Sequence, residues 1–274
     1  MYSDKVVKYH SHPDTLAEYW AKLWRYRLLI LTFARRDIKV KYSQTFLGPL
    51  WVLLSPFPVV VIFNLFFGRV VKLNTGSQPN PVFALTGLIG WGYFSNLNVG
   101  IGGSMIDAQN IIRKLYFPKL VLALAKVISS GVDFMVSFAV IFVVMLAMGV
   151  TPKWTIIFFP LFLLLNIICG FAIGIWIAAL TFRYRDLQHF VYQFLNFSIW
   201  LTPVFYPTTI LPQNLTYIMY ANPMAFVISG YRYTLSGSEV PALDYVMSLI
   251  PLFIVLVSGL MYFRRVEDKM AENI

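Results

Sequence analysis

Long apolar stretches, separated by short charged segments, dominate the chain from residue 46 onwards. A helix needs about 20 mostly apolar residues to cross the hydrocarbon core of a bilayer. Stretches of this kind lie at residues 46–71, 82–106, 120–150, 154–181, 187–206 and 245–263. They predict an all-α integral membrane protein with six transmembrane helices, built as a single domain over residues 1–274.

The region between the fifth and sixth predicted spans breaks this pattern. Residues 187–231 hold no Asp, Glu, Lys or Arg, and this run is too long for one transmembrane helix. Pro203, Pro207, Pro212 and Pro223 interrupt it, and a proline inside a helix removes a backbone hydrogen bond. We therefore interpret residues 207–231 as two short re-entrant half-helices.

The segment before the first span has a different periodicity. Residues 14–45 place apolar side chains at helical spacing and basic side chains on the other faces, which predicts an amphipathic helix in the cytoplasmic membrane interface. A plain basic anchor is the simpler alternative. The candidate interface residues are Trp20, Trp24, Arg35, Arg36, Lys39 and Lys41. The Gly48-Pro49 pair is expected to turn the chain into the first span.

Composition and charge support a membrane protein with both termini in the cytoplasm. The 274 residues are 58% apolar and 12% charged, about half the charged fraction of a globular domain. The net charge of +10 does not indicate nucleic acid, because the basic residues lie between apolar stretches. All but four of the 22 Lys and Arg fall on one predicted side, and basic loops stay cytoplasmic. The four exceptions are Arg69, Lys72, Lys153 and Arg232.

The sequence offers little to an enzyme. We find no paired carboxylates, no metal-ligand spacing, no nucleophile with a base and no phosphate-binding G-x-x-x-x-G-K-[ST] motif. The single cysteine, Cys169, lies in an apolar stretch and is expected to pack inertly. A membrane-embedded glycan transferase and an ion-coupled carrier are therefore disfavoured, since intramembrane acids are scarce.

Two features within the spans leave alternatives open. Asp133 is an acid inside the third span, and an intramembrane acid can be a functional site. The structural alternative points to Lys126, seven residues earlier on the same helix face. Gly170 and Gly174 form a small-xxx-small face in the fourth span. That face suits packing within the subunit and dimerisation equally.

Four motifs carry a resemblance to a known family. They are RRDIKVKYSQTFLGPLW at residues 35–51, NIIRKLYFPK at 110–119, FRYRDLQ at 182–188, and LTPVFYP at 201–207 with ANP at 221–223. With six spans, they resemble the membrane subunit of ATP-binding-cassette exporters of polysaccharides. That class moves lipid-linked O-antigen, teichoic acid or capsule across the bacterial inner membrane.

The resemblance implies a homodimer of this chain with two copies of a separate ATPase, which would hold the ATP and Mg²⁺. This chain itself is expected to need no cofactor and no metal. The motifs do not distinguish the polymer. An exporter of a drug or a lipid from the same superfamily is the nearest alternative.

Two sets of site residues follow from this resemblance. The short helix after span two combines apolar and basic residues suited to docking on the ATPase, although an ordinary basic loop is the alternative. Its residues are Ile111, Ile112, Arg113, Lys114, Leu115, Tyr116, Phe117 and Pro118. Aromatic rings pack on sugar faces, and packing against lipid is their alternative role. The candidate glycan-path aromatics are Trp91, Tyr93, Phe94, Phe197, Trp200, Phe205, Tyr206, Tyr217 and Tyr220.

Overall fold

The computed structural model describes residues 16–43, 48, 50–54, 56–66, 79–237 and 240–272, and the regular elements within these ranges are helical. The α-helices are α1 (Leu16–Arg25), α2 (Arg27–Tyr42), α3 (Leu50–Leu54), α4 (Pro56–Phe63), α5 (Asn80–Asp107), α6 (Gln109–Ile112), α7 (Leu120–Ala147), α8 (Phe159–Arg183), α9 (Leu187–Ser198), α10 (Gln213–Tyr220), α11 (Pro223–Ser236) and α12 (Leu249–Glu272). Short 3-10 helices occupy Trp154–Phe158, Thr208–Ile210 and Leu243–Ser248. The predicted all-α class is confirmed for the described residues.

Helix α5 forms the centre of the bundle and packs against α4, α7, α8 and α11. Its contact with α8 is close, because Gly170 and Gly174 of α8 face Leu97 and Ile101 of α5. A Cβ atom at Gly170 would lie 2.7 Å from Leu97, and one at Gly174 would lie 2.9 Å from Ile101. The small-residue face of α8 therefore packs within the chain. Cys169 beside it is buried.

Buried polar side chains fix the register of the central helices. Asn166 of α8 donates to the carbonyl of Gly90 at 3.0 Å and to the Tyr231 hydroxyl of α11 at 3.2 Å. Thr181 donates to the carbonyl of Gly102 at 2.7 Å. Hydrogen bonds of this kind stabilise helix contacts where lipid provides no hydrophobic driving force. They connect α5, α8 and α11.

Three helical stretches among the described residues are long and apolar enough to cross a bilayer: Leu120–Ala147, Trp154–Arg183 and Leu243–Glu267. They match the third, fourth and sixth predicted spans. Helix α5 covers the second, but is less apolar. The first predicted span, 46–71, is described only at 48, 50–54 and 56–66, where it forms α3 and α4. The count of six spans stays a prediction.

The fifth predicted span, 187–206, differs from a straight helix. Helix α9 ends at Ser198, and residues 199–206 form turns. Helices α10 and α11 follow where the half-helices are predicted, and α11 continues to Ser236. Asn222 caps α11 by accepting from the Met224 amide at 3.0 Å, and Gly237 ends it with a φ of +60°. Whether α10 and α11 re-enter a membrane stays a prediction.

The bundle has two ends, which we call basal and distal. At the basal end lie α1, α2 and α6. Helices α5 and α8 end there, and α7 and α9 begin there. At the distal end lie the turns at 199–206, α10, α11 and the 3-10 helices. Helices α5, α8 and α12 begin there. The predicted docking segment lies at the basal end, and the predicted half-helices lie at the distal end.

Candidate functional site

The predicted docking segment has an outward and an inward side. Leu115 and Tyr116 point outwards, and the Tyr116 side chain is 60% exposed. Phe117 is only 1% exposed. Of the remaining predicted residues, Arg113 and Lys114 are exposed, Ile111 is half-buried, and Ile112 and Pro118 are buried. A partner can therefore contact only part of the predicted set directly.

The inward side joins three other helices. The Phe117 ring lies 5.7 Å from the Phe33 ring of α2, centroid to centroid. The carboxylate of Glu267 in α12 accepts from the Lys119 amide at 2.6 Å and from the Tyr19 hydroxyl of α1 at 2.8 Å. Because of these contacts, a displacement of residues 110–118 would also displace α1, α2 and α12.

The Lys119 ammonium lies inside this cluster. Its Nζ donates to the carbonyl of Phe117 at 3.1 Å and lies 5.3 Å from the centroid of the Tyr116 ring. Burial lowers the pKa of Lys119, and the carboxylate of Glu267 opposes that shift. The ammonium thus holds together the turn that places Tyr116 outside and Phe117 inside.

A charged cleft of about 520 Å³ lies between α2, α5 and α7. Asp133 of α7 accepts from Lys41 of α2 at 2.6 Å and from the Tyr42 hydroxyl. Lys126 pairs instead with Asp37 of α2 at 3.1 Å and Asp107 of α5 at 3.3 Å. The expected pairing of Asp133 with Lys126 is therefore wrong, because α2 supplies the nearer partners for both residues. These ion pairs attach α2 to the bundle.

The predicted interface helix is broken at Tyr26 into α1 and α2. Apolar side chains lie both on the side that faces the bundle and on the side that faces outwards. Leu23 and Phe33 lie against the bundle, whereas Trp20 and Trp24 point outwards. Among the basic candidates, Arg35 and Lys39 are exposed, Arg36 pairs with Asp37 at 2.7 Å, and Lys41 pairs with Asp133. The outward side thus combines tryptophan with basic residues.

The nine predicted glycan-path aromatics fall into two groups. Trp91, Tyr93, Phe94 and Phe205 are buried within the chain, where Tyr93 packs on Phe134 at 4.7 Å. These four side chains contribute to the core. Five others remain accessible: Phe197, Trp200 and Tyr217 are exposed, and Tyr206 and Tyr220 are half-buried.

Arg232 holds the distal turn in place. The sequence marks it as one of four basic residues on the predicted non-cytoplasmic side, and the structure buries it in α11. Its guanidinium donates to the carbonyl of Val204 at 2.7 Å and lies 3.5 Å from the centroid of the Phe83 ring. Backbone outside a helix needs such a donor at membrane depth. Arg232 is therefore a structural residue of the distal turn.

Comparison with known proteins identifies the family. The family model described as "ABC-2 type transporter" matches residues 29–236. The chain belongs to the ABC-2 type transporter family. It is accordingly a multi-pass membrane protein with a transport role.

Three curated relatives are similar over most of the chain. The O-antigen export system permease protein RfbA of Myxococcus xanthus is 31% identical over 258 residues, which cover 92% of this chain and 98% of that protein. Two proteins of the same name from Klebsiella pneumoniae are 29% and 28% identical, each over 89% of this chain and 94% of that protein. These likenesses extend beyond the family match, which leaves out α1 and α12.

Sequence reasoning missed Glu267, Arg232 and the Lys41–Asp133 pair. An arginine close to a helix-breaking, proline-rich segment is a usable signal for Arg232, because broken backbone needs donors. Glu267 and Lys41 carry no such signal. Their partners lie 148 and 92 residues away along the chain. In this ABC-2 chain, the basal cluster therefore emerges only from the fold.

Proposed function

We propose that this chain is the membrane subunit of an ATP-driven exporter of a lipid-linked polysaccharide of the O-antigen kind. The likeness to O-antigen export permeases of two organisms, over nearly the whole length of both chains, carries this proposal. The distal aromatics add chemical support, since aromatic rings pack on the faces of sugars. The bacterial inner membrane is the corresponding location.

The energy for export comes from a separate ATPase in this proposal. The chain has no phosphate-binding G-x-x-x-x-G-K-[ST] motif, so ATP and Mg²⁺ would bind to that partner. A homodimer of this chain with two ATPase copies is the proposed assembly. The family's transport role supports the partner, while the stoichiometry rests on the motif resemblance.

The outward side of residues 110–118 is the proposed docking surface for the ATPase. Leu115 and Tyr116 supply exposed apolar area, and Arg113 and Lys114 supply charge beside it. Phe117 would not touch the ATPase. It would instead transmit the displacement of this segment to Phe33 and α2, through the ring contact at 5.7 Å.

Helices α1 and α2 are proposed to lie along the cytoplasmic face of the membrane, with both chain termini in the cytoplasm. Exposed Trp20 and Trp24 would enter the interface, and Arg35 and Lys39 would meet anionic head groups. The excess of basic residues at the basal end supports this orientation. The ion pairs of α2 with α5 and α7 would then link the interface to the bundle.

The distal end is proposed to form the outer part of the glycan path. Trp200 and Tyr217 are exposed there, and Tyr206 donates to the carbonyl of Trp200 at 3.1 Å. Tyr220 packs edge-on against Tyr245 at 4.9 Å. These rings could close the path at rest and stack on sugars during export.

Deletion of the gene in its own host tests the proposal. Surface polysaccharide should disappear, lipid-linked polymer should accumulate on the inner leaflet, and a plasmid copy should restore export. Unchanged surface polysaccharide, together with loss of resistance to a drug or altered lipid export, would contradict the polysaccharide assignment.

A further inference from the structure

The exposed side of α9 carries a row of polar side chains. His189, Gln193 and Asn196 are all exposed and follow one another at spacings of four and three residues, which places them on one helix face. None of the three side chains has a hydrogen-bond partner among the described residues. We call these three residues the polar row.

An apolar row lies beside it on the same helix. Phe190 and Phe194 are exposed and stack with ring centroids 6.2 Å apart, and Phe197 continues this row. Leu195 on the opposite side is buried. Helix α9 therefore has a buried side, an apolar exposed row and a polar exposed row.

Helices α7, α8 and α12 have no such polar row over most of their length. The exposed side chains of residues 128–147 in α7, 160–182 in α8 and 250–261 in α12 are all apolar, as expected for contact with lipid. An amide without a partner in hydrocarbon costs several kcal/mol. The polar row is thus unsuited to lipid and must face a medium that forms hydrogen bonds.

We propose that the polar row lines the polysaccharide path and binds the hydroxyl groups of the passing sugars. This inference rests on the proposed export function. An amide both donates and accepts, as a sugar hydroxyl does. Trp200 and Tyr192, both exposed next to the row, supply aromatic rings for the sugar faces. Hydrogen-bonding groups repeated along a path bind a moving substrate weakly at several sites, as conduction requires.

A contact with a second copy of the chain suits this surface less well. Close contacts between membrane helices are built from small residues, as Gly170 and Gly174 illustrate in α8. The exposed side of α9 carries no Gly, Ala, Ser or Thr between His189 and Phe197. Such a surface leaves room between subunits, which a polymer needs.

The first test compares two double variants in the complete transporter, expressed in a strain that depends on this chain for its surface polysaccharide. Gln193→Met with Asn196→Leu removes the amides but keeps side chains of similar length and shape. We expect surface polysaccharide to fall about tenfold, from two lost hydrogen bonds, while the complex still assembles with its ATPase. Phe190→Leu with Phe194→Leu is the matched control on the apolar row, and should export within about twofold of wild type.

The second test identifies what touches the row. A photoreactive phenylalanine analogue at position 193 should cross-link to the strain's own polysaccharide in exporting cells, whereas the same analogue at position 253 of α12 should cross-link to lipid only. Cross-linking of position 193 to a second copy of the chain would overturn the proposal in favour of a subunit contact.

The outcomes distinguish the role of the polar row from the proposed export function on which it rests. Normal export by the Gln193→Met/Asn196→Leu variant overturns the role of the polar row while leaving the exporter assignment intact. Absence of polysaccharide export by the wild-type transporter overturns the assignment and the inference together. Cross-linked polysaccharide combined with the tenfold loss supports both.

Discussion

The two ends of the bundle are held together by different interactions. At the basal end, α2 is attached by ion pairs: the Lys41 side chain is 52% exposed and that of its partner Asp133 8%, while those of Lys126 and Asp37 are 18% and 15% exposed. At the distal end, the turn at 199–206 is attached by the buried guanidinium of Arg232 and by a hydrogen bond from Asn222 to Thr202 at 3.1 Å. The buried contact of Phe33 with Phe117 and the Glu267 carboxylate, which accepts from Lys119 and Tyr19, reinforce the basal end.

The difference indicates that the end of α2 at Lys41 can move at lower cost than the distal turn. An ion pair with one exposed partner, such as Lys41–Asp133, contributes about 0–1 kcal/mol, whereas a buried carbonyl that loses its donor costs about 1–3 kcal/mol. The basal end is also where the ATPase is proposed to dock. If the ion pairs of α2 break and re-form during the transport cycle, α2 can shift while the distal turn keeps its shape.

The largest expected effect is at Phe117, the buried ring of the basal end. Phe117→Ala should lower the free energy of unfolding by about 4 kcal/mol, because a fully buried aromatic side chain leaves a cavity. Thermal unfolding of the purified chain in detergent measures this. Leu115→Ala, in the same segment but exposed, is the control and should change stability little. Equal stability of the two variants would show that Phe117 is not an anchor.

The second largest loss of stability is expected at Arg232, which holds the distal turn. Arg232→Met should cost about 3 kcal/mol, because the Val204 carbonyl loses its donor and the Phe83 ring loses a buried cation. Arg265→Met, exposed near the end of α12, is the charge-matched control and should be neutral. If Arg232→Met were as stable as the control, the distal turn would not depend on the guanidinium.

The third effect in size is expected on ATPase binding, which should depend on the basal end and not on the distal end. Tyr116→Ala should weaken ATPase binding by about 2 kcal/mol if the ring lies at a desolvated contact, with little change in the stability of the chain. Co-purification of the ATPase with the tagged chain measures this loss. Tyr217→Ala is the control at the distal end, exposed to a similar degree, and should retain the ATPase. Undiminished ATPase binding by Tyr116→Ala would move the docking surface elsewhere, with α1 as the next candidate.

The smallest expected effect is at the charged cleft. Asp133→Asn keeps an acceptor for Tyr42 but loses the ion pair with Lys41, at a cost of about 1 kcal/mol that should shrink in high salt. Asp244→Asn, exposed at the distal end, is the control. Unfolding measured at low and high ionic strength tests this expectation. A loss as large as that of Arg232→Met would remove the distinction between the two ends.

Hydropathy predicts much of the fold, because lipid demands long apolar helices. The bounds of α5, α7 and α8 lie within a few residues of the predicted ones, and the prolines correctly indicate the break after α9. The end of α9 at Ser198 was not predictable from local pattern alone. The turn that follows is stabilised by Arg232, which comes 34 residues after Ser198 and reaches it only through the fold.

The candidate sites are less predictable, since nearly every side chain in a membrane span is apolar. Hydropathy cannot distinguish Trp91, which lies in the core, from Trp200, which is exposed. The same ambiguity hides the opposite directions of Tyr116 and Phe117, neighbours in sequence. Polar residues inside a span carry more information, and the spacing of Gln193 and Asn196 is visible in the sequence once α9 is recognised as a helix.

The most direct test of the account is transport by purified components. The chain is reconstituted into vesicles with lipid-linked polysaccharide from its host, with and without the ATPase that co-purifies with it, and movement of the polymer across the bilayer is followed after ATP is added. Transport and ATP hydrolysis should both require the ATPase, and the chain alone should do neither. Hydrolysis of ATP by the chain alone, or transport of the polymer without the ATPase, would contradict the account.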